Sequence, residues 1–235
     1  AQYKNDRDPA EPIFRFKERA LVHFALDPDQ AFMTTRLTGA STWFLPFNRG
    51  HNHGAGNPPS DGGSYRTSYL WERVLTRDSL MDILARFLHL EVSETKVATQ
   101  KGVKRKKKET LIFPRYHQLD AVRQLITSAR AQGQGHNYLV QHSAGSGKSN
   151  SIAWLAHRLS SLHDSEDNKV FDTVVVITDR RVLDQQLQNT IYQFEHKQGV
   201  VQKIDENTQQ LAQALSSGVP IVISTIKKFP FITQA

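Results

Sequence analysis

The chain has 235 residues, 38% of them hydrophobic, enough for one large or two ordinary domains with a sizeable core. No apolar stretch approaches the ~20 residues of a membrane span, and no signal-peptide pattern opens the chain; the absence of cysteine excludes disulfides and thiolate metal sites, in keeping with a cytoplasmic protein. The formal charge of +7 is uneven: Lys104-Arg105-Lys106-Lys107-Lys108 carries +5 and leaves +2 for everything else, so the run reads either as a solvated linker or as a patch drawn to nucleic-acid phosphates.

The segments ALVHFAL and AFMTTRL flank Asp27-Pro28-Asp29-Gln30 and predict a hairpin, with Asp-Pro-Asp as the turn. TWFLPF predicts a further strand ending near Phe47. Residues 48–64, rich in Gly, Asn, His and Pro, predict a long surface loop; its His51 and His53 lack carboxylate or cysteine partners at metal-ligand spacing. From Tyr69 to Leu90 apolar residues recur every three or four positions, which predicts two short helices, the second capped by Asp78 or Ser79, with Trp71 in their core. Residues 91–109 read as a polar, basic connector, and the main domain boundary is placed at 110/111. From Leu111 onward strands and helices alternate. A helix from about Tyr116 ends at Gly133, VVVI at 174–177 predicts a strand buried on both faces, VVQKI a short strand, Asn207 to Gly218 a capped helix, and VPIVIST a third apolar strand. The alternation implies an α/β fold with a parallel sheet and helices on both faces.

Within that pattern lies YLVQHSAGSGKS, residues 138–149. A strand at Tyr138–Val140 followed by a glycine-rich loop and a helix is the order a phosphate-binding P-loop requires. Gly145 and Gly147 let the backbone turn its N–H groups inward, and the dipole of the following helix faces the same point. The N–H groups from Ala144 to Ser149, with Ser143 at the rim, form the cradle. Lys148 then reaches the β- and γ-phosphates and the Ser149 hydroxyl ligates Mg²⁺. His142 stands where Gly or Ala is usual, at the loop's start. Upstream, Gln118 near the start of a helix has an amide that matches adenine's donor and acceptor edge, or is simply a polar first turn. Thr178-Asp179-Arg180-Arg181 and Ser224-Thr225-Ile226-Lys227-Lys228 follow two of the strands, where α/β sheets place ligands; helix capping by Thr178 and Asp179 is the plainer alternative.

RYHQ, HSAGSGKS, VVVITDRRVLDQQL and IVISTIKKF resemble the adenine-reading motif and motifs I, Ia and Ib of superfamily two DNA helicases and translocases. The wording is close to the motor and endonuclease subunit of type I restriction-modification enzymes, and DRDPAEPIFRFKERALVHFAL, FLPFNRG and SYLWERVLTRDSLMDILARFLHL extend the likeness over nearly the whole chain. The resemblance implies ATP and Mg²⁺ as cofactors, adenine recognition by Gln118 and Arg115, and sequence-blind contacts to double-stranded DNA from Arg180, Arg181 and Thr225. It implies partnership with specificity and methyltransferase subunits and no membrane. Residues 1–110 would be the end of a PD-(D/E)xK nuclease-type domain plus connector, and 111–235 a RecA-like motor domain. On this reading the chain is a piece of a longer polypeptide, the nuclease acids and the acidic Walker B box lie outside it, and the piece alone binds ATP weakly without turnover.

Overall fold

The computed structural model describes residues 2–60, 63–99, 102–179, 181–194, 199–204 and 207–229. The chain divides into two compact units, Ala1–His117 and Gln118–Ala235.

The first unit opens with a short helix α1 (Gln2–Asn5) and the predicted hairpin, β1 (His23–Leu26) antiparallel to β2 (Ala31–Thr34). The turn forms for the expected reason: the Asp27 carboxylate accepts the N–H groups of Asp29 and Gln30 at 2.8 Å each. β3 (Leu45–Pro46) extends this sheet through Phe32 and Met33. The Gly/Asn/Pro loop that follows is tied down by two asparagines. Buried Asn57 donates to Asp29 O and Asn48 Oδ1 and accepts from Arg49 N, while Asn48 Oδ1 also accepts from Ala31 N. Among the described residues no group of His, Asp or Glu is placed to hold a metal ion.

An aromatic core joins these pieces: Phe24, Phe113 and Tyr116 pack around fully buried Phe47, ring centroids 5.2–6.3 Å apart. Tyr69 closes it, its hydroxyl donating to Phe47 O at 2.7 Å, and burial pushes its phenol up to about 12. The predicted first helix is a π-helical turn over Leu70–Val74, and α2 spans Arg77–Arg86 with Thr76 as N-cap, so the cap falls earlier than Asp78 or Ser79; the Ser79 hydroxyl instead donates to Val74 O. Trp71 does not join the core. It is 48% exposed, because the π turn sends Leu70 and Val74 inward and leaves Trp71 on the outer side.

The largest departure from expectation is the basic connector, which is a β-ribbon. β4 (His89–Thr99) and β5 (Gly102–Ile112) pair antiparallel from His89↔Ile112 to Thr99↔Gly102. Val, Thr and Leu recur along β4 and at the two ends of β5, but the run itself is all Lys and Arg, and the cross-strand ladder that makes it a strand joins residues up to 23 positions apart, which no local pattern reveals. At its base Glu109 pairs with Lys17.

His23 gives this unit a pH dependence. It is 5% exposed between the rings of Tyr3 and Phe14, 5.7 and 5.5 Å away, and burial holds its pKa below the ordinary value. The unfolded chain therefore takes up the proton first. The stabilisation is complete above the unfolded pKa of about 6.5 and is lost as pH falls from there through the lower folded value. Urea midpoints should drop between pH 7.5 and 5, and His23→Phe should flatten that drop; an unchanged slope would remove His23 as its source.

In the second unit α3 (Tyr116–Gln132, its first two residues in the first unit) buries Gln118, Leu119, Val122, Ile126 and Ala129. Three parallel strands follow in the order β6-β8-β7: β6 (Val174–Thr178), β8 (Ile221–Thr225) and β7 (Val201–Lys203). Central β8 is fully buried from Ile221 to Ser224. Its Val222 packs with Leu211 and Ala214 of α6 (Thr208–Ser216) and with Ile204, whereas Ile221 and Ile223 point the other way and are equally buried, so both faces are covered. β6 is an edge strand among the described residues, and its Ile177 is 49% exposed, against the expectation of burial on both faces. α4 (Lys148–Ser160) packs on α5 (Arg181–Gln193), with buried Trp154 edge-on to Phe194 at 5.8 Å and His157 Nε2 within 2.9 Å of Ile191 O. α6 is capped as its sequence predicts, Asn207 Oδ1 accepting from Gln210 N at 2.9 Å.

Tyr138–Val140, the expected P-loop strand, forms no strand and pairs with none among the described residues. Tyr138 and Val140 instead line an apolar cleft of about 460 Å³ with Leu125, Ala129, Leu155 and Leu159, while Leu139 between them is 93% exposed. The alternation of a strand is present without its ladder.

Candidate nucleotide-binding site

The loop Ser143–Gly147 has the backbone its glycines were expected to allow. Gly145 and Gly147 both sit in the left-handed region, at φ +72° and +81°, which L side chains reach only at a cost of roughly 1–2 kcal/mol. A β-carbon built at Gly145 would meet nothing within 4 Å, so the demand for glycine there is conformational rather than steric within the chain. Gly147 is also the N-cap of α4 and offers no side chain, so no side-chain group caps the first turn of that helix. Asn150 N and Ser151 N fold back on Gly147 O at 3.1 and 3.4 Å, and Ser146 N closes onto Ser143 O at 3.3 Å. The result is an exposed loop at Ser143, Ala144 and Gly145 that leads into a positive helix end.

Lys148 is exposed, and its ammonium donates to His142 O at 3.1 Å and Ser143 O at 2.8 Å. The cation is therefore held at the mouth of the loop by the first residues of that same loop. His142 feels it: burial, and then the Lys148 charge, lower the imidazole pKa, so the ring is biased to neutrality. Ser149, half-buried in the first turn of α4, is the adjacent hydroxyl.

Gln118 is the residue whose position the sequence left most open. It is 3% exposed, and its amide nitrogen donates to Gly147 O at 2.8 Å and Ser146 O at 3.3 Å. One side chain of α3 thus anchors two carbonyls at the end of the glycine loop. This anchoring role was not read from the sequence, although a signal for it exists. Gln118 occupies the same helical stripe as Val122, Ile126 and Ala129, so its side chain faces inward with them. Arg115, just before α3, lies in the first unit; it is half-buried, and burial lowers its pKa.

The two polar strand ends come together. Parallel register places Thr178 of β6 directly beside Thr225 of β8, so both carboxyl ends finish at one edge of the sheet. Arg181 is the first residue of α5, immediately beyond that edge, and Arg180 lies outside the described residues. Lys228 is committed to the fold, donating to Ile204 O, whereas Lys227 is exposed.

These parts fit a nucleotide triphosphate by their own chemistry: left-handed glycines, an uncapped helix start, a cation at the loop's mouth and a hydroxyl beside it. A family profile described as SWI2/SNF2 ATPase matches residues 117–235, just over half of the chain. The chain belongs to the SWI2/SNF2 ATPase family. Comparison with curated proteins and with solved structures finds no match. Membership makes this a superfamily two helicase-like ATPase that uses ATP, of a kind that generally engages DNA. The mixed α/β second unit with its parallel sheet is compatible with a RecA-like ATPase. The match runs from His117 through the loop, α4 and the strand ends at Thr178 and Thr225, and so includes every candidate site residue except Arg115.

Proposed function

We propose that the chain is part of an ATP-driven translocase of double-stranded DNA, the motor and endonuclease subunit of a type I restriction-modification system, acting in the cytoplasm with specificity and methyltransferase subunits. The observation that carries the motor reading is the loop with its anchor, in which Gln118 fixes the carbonyls of Ser146 and Gly147 while Lys148 stands at the mouth. In this reading Ser143 to Ser149 cradle the triphosphate, Lys148 neutralises β- and γ-phosphate charge, and the Ser149 hydroxyl takes one Mg²⁺ position. Gln118 and Arg115 recognise the adenine end. Bound ATP–Mg²⁺ supplies the phosphoanhydride whose hydrolysis drives movement. Thr225, Arg180 and Arg181 contact phosphates at the sheet edge without reading bases.

The restriction assignment rests on the likeness of the N-terminal wording, with residues 1–110 as the end of a nuclease-type domain. The family match is equally compatible with a second reading, another superfamily two DNA or RNA helicase, because it describes the ATPase and no particular assembly. The full-length protein decides between them. ATP hydrolysis is measured on unmethylated plasmid with and without the specificity and methyltransferase subunits. Turnover that needs both subunits, followed by cleavage of the plasmid, is the expected result. Full turnover on any duplex without them would establish the second reading, and no nucleic-acid-stimulated turnover in either case would overturn both.

A further inference from the structure

The ribbon of β4 and β5 is long and basic. At 11 residues per strand it extends roughly 37 Å, about twice an ordinary strand, and no third strand joins it among the described residues. Residues 95–108 contain seven Lys or Arg and no acid, a charge equal to the net +7 of the whole chain; the remaining residues balance at 23 basic and 23 acidic. The positive character of this protein is therefore concentrated in one element.

Register sorts that charge between the two faces. Positions 104, 106 and 108, all Lys, share a face with their partners Val97, Thr95 and Ser93, none of them acidic. Positions 105 and 107 share the other face, where Arg105 stands opposite Lys96, while Lys107 stands opposite Glu94 and has Glu109 two residues along. One face is thus a row of three lysines with no acid directly opposite any of them, Glu91 lying diagonal to Lys108 at its end, and such a row disfavours the ribbon standing alone. Where the side chain is described, at Lys108, it is exposed. Lysines two apart on a strand are roughly 6.8 Å apart, comparable to the step between neighbouring phosphates of a DNA strand. A two-stranded ribbon is also narrow enough to lie in a major groove about 12 Å wide.

We propose that this ribbon is a separate contact to duplex DNA, with Lys104, Lys106 and Lys108 following a phosphate backbone. The identity of the polyanion rests on the DNA-motor reading; the geometry of the contact does not. Each phosphate contact contributes about 0.9 to the slope of log affinity against log salt, so three contacts contribute about 2.7.

The test measures binding of the full-length protein to a fluorescent duplex by anisotropy from 50 to 300 mM salt, without nucleotide. Combined Lys104→Gln, Lys106→Gln and Lys108→Gln should lower the slope by about 2.7, whereas Arg105→Gln with Lys107→Gln on the other face should lower it by less than about 0.5. A loss that merely follows the number of charges removed, no loss in the triple variant, or equal competition by poly-glutamate would each overturn the proposal. Lys148→Ala in the same assay keeps the two readings apart. If the ribbon binds as proposed, that variant retains the full salt slope whether or not the ATPase reading holds, and the ATPase reading is judged by turnover alone.

Discussion

Lys148→Ala should lower DNA-stimulated ATP hydrolysis by the full-length protein at least 10²-fold, about 2.7 kcal/mol in barrier. The backbone N–H groups of the loop and the end of α4 offer partial charges to a triphosphate, and the Lys148 ammonium, held at the loop's mouth by His142 O and Ser143 O, offers a full positive charge. Those two hydrogen bonds are at an exposed position, so their loss should leave the unfolding midpoint nearly unchanged. Activity and stability therefore separate. Lys148→Arg should not restore turnover, because a planar guanidinium replaces a compact point charge. Turnover within about threefold of the parent, roughly 0.7 kcal/mol, would sink the assignment of this loop to the phosphates.

Gln118→Ala should weaken both ATP and GTP, and ATP more. The shared part comes from the loop. Without the amide, Gly147 O keeps only the N–H groups of Asn150 and Ser151, Ser146 O loses the amide hydrogen bond, and the loop loses its anchor to α3, a loss of about 0.5–1.5 kcal/mol per hydrogen bond. The excess for ATP comes from the proposed base contact, since guanine presents a different edge. Equilibrium binding of fluorescent ATP and GTP analogues reads both parts at once. Undiminished GTP binding would remove the anchoring role, and an equal loss for the two nucleotides would remove adenine recognition while leaving the anchor. Gln118→Glu sharpens the comparison: the carboxylate has no N–H to donate to either carbonyl, so it should resemble Ala rather than the parent.

The features that the sequence alone determines here are those whose physics closes within a few residues. Asp27 bonds the N–H groups two and three positions ahead, Asn207 caps Gln210, and Gly145 and Gly147 supply left-handed backbone where the loop turns. The glycine loop and the helix start after it were legible for that reason, since the glycines, the lysine and the serine are consecutive. What only the tertiary structure decided are the choices that need a distant partner. The charged run reads as a linker until Lys108 is placed opposite Ser93 and Lys107 opposite Glu94, because one strand's polar composition does not reveal a ladder with another. Trp154 is buried and Trp71 exposed through the neighbours each helix meets, Phe194 for the first and solvent for the second. The pairing of Thr178 with Thr225 depends on β8 lying between β6 and β7, an order chain sequence does not state. Gln118 shows both sides of the division: its helical phase, set by spacing along α3, turns it inward, but which carbonyls it meets there depends on a loop 28 residues away.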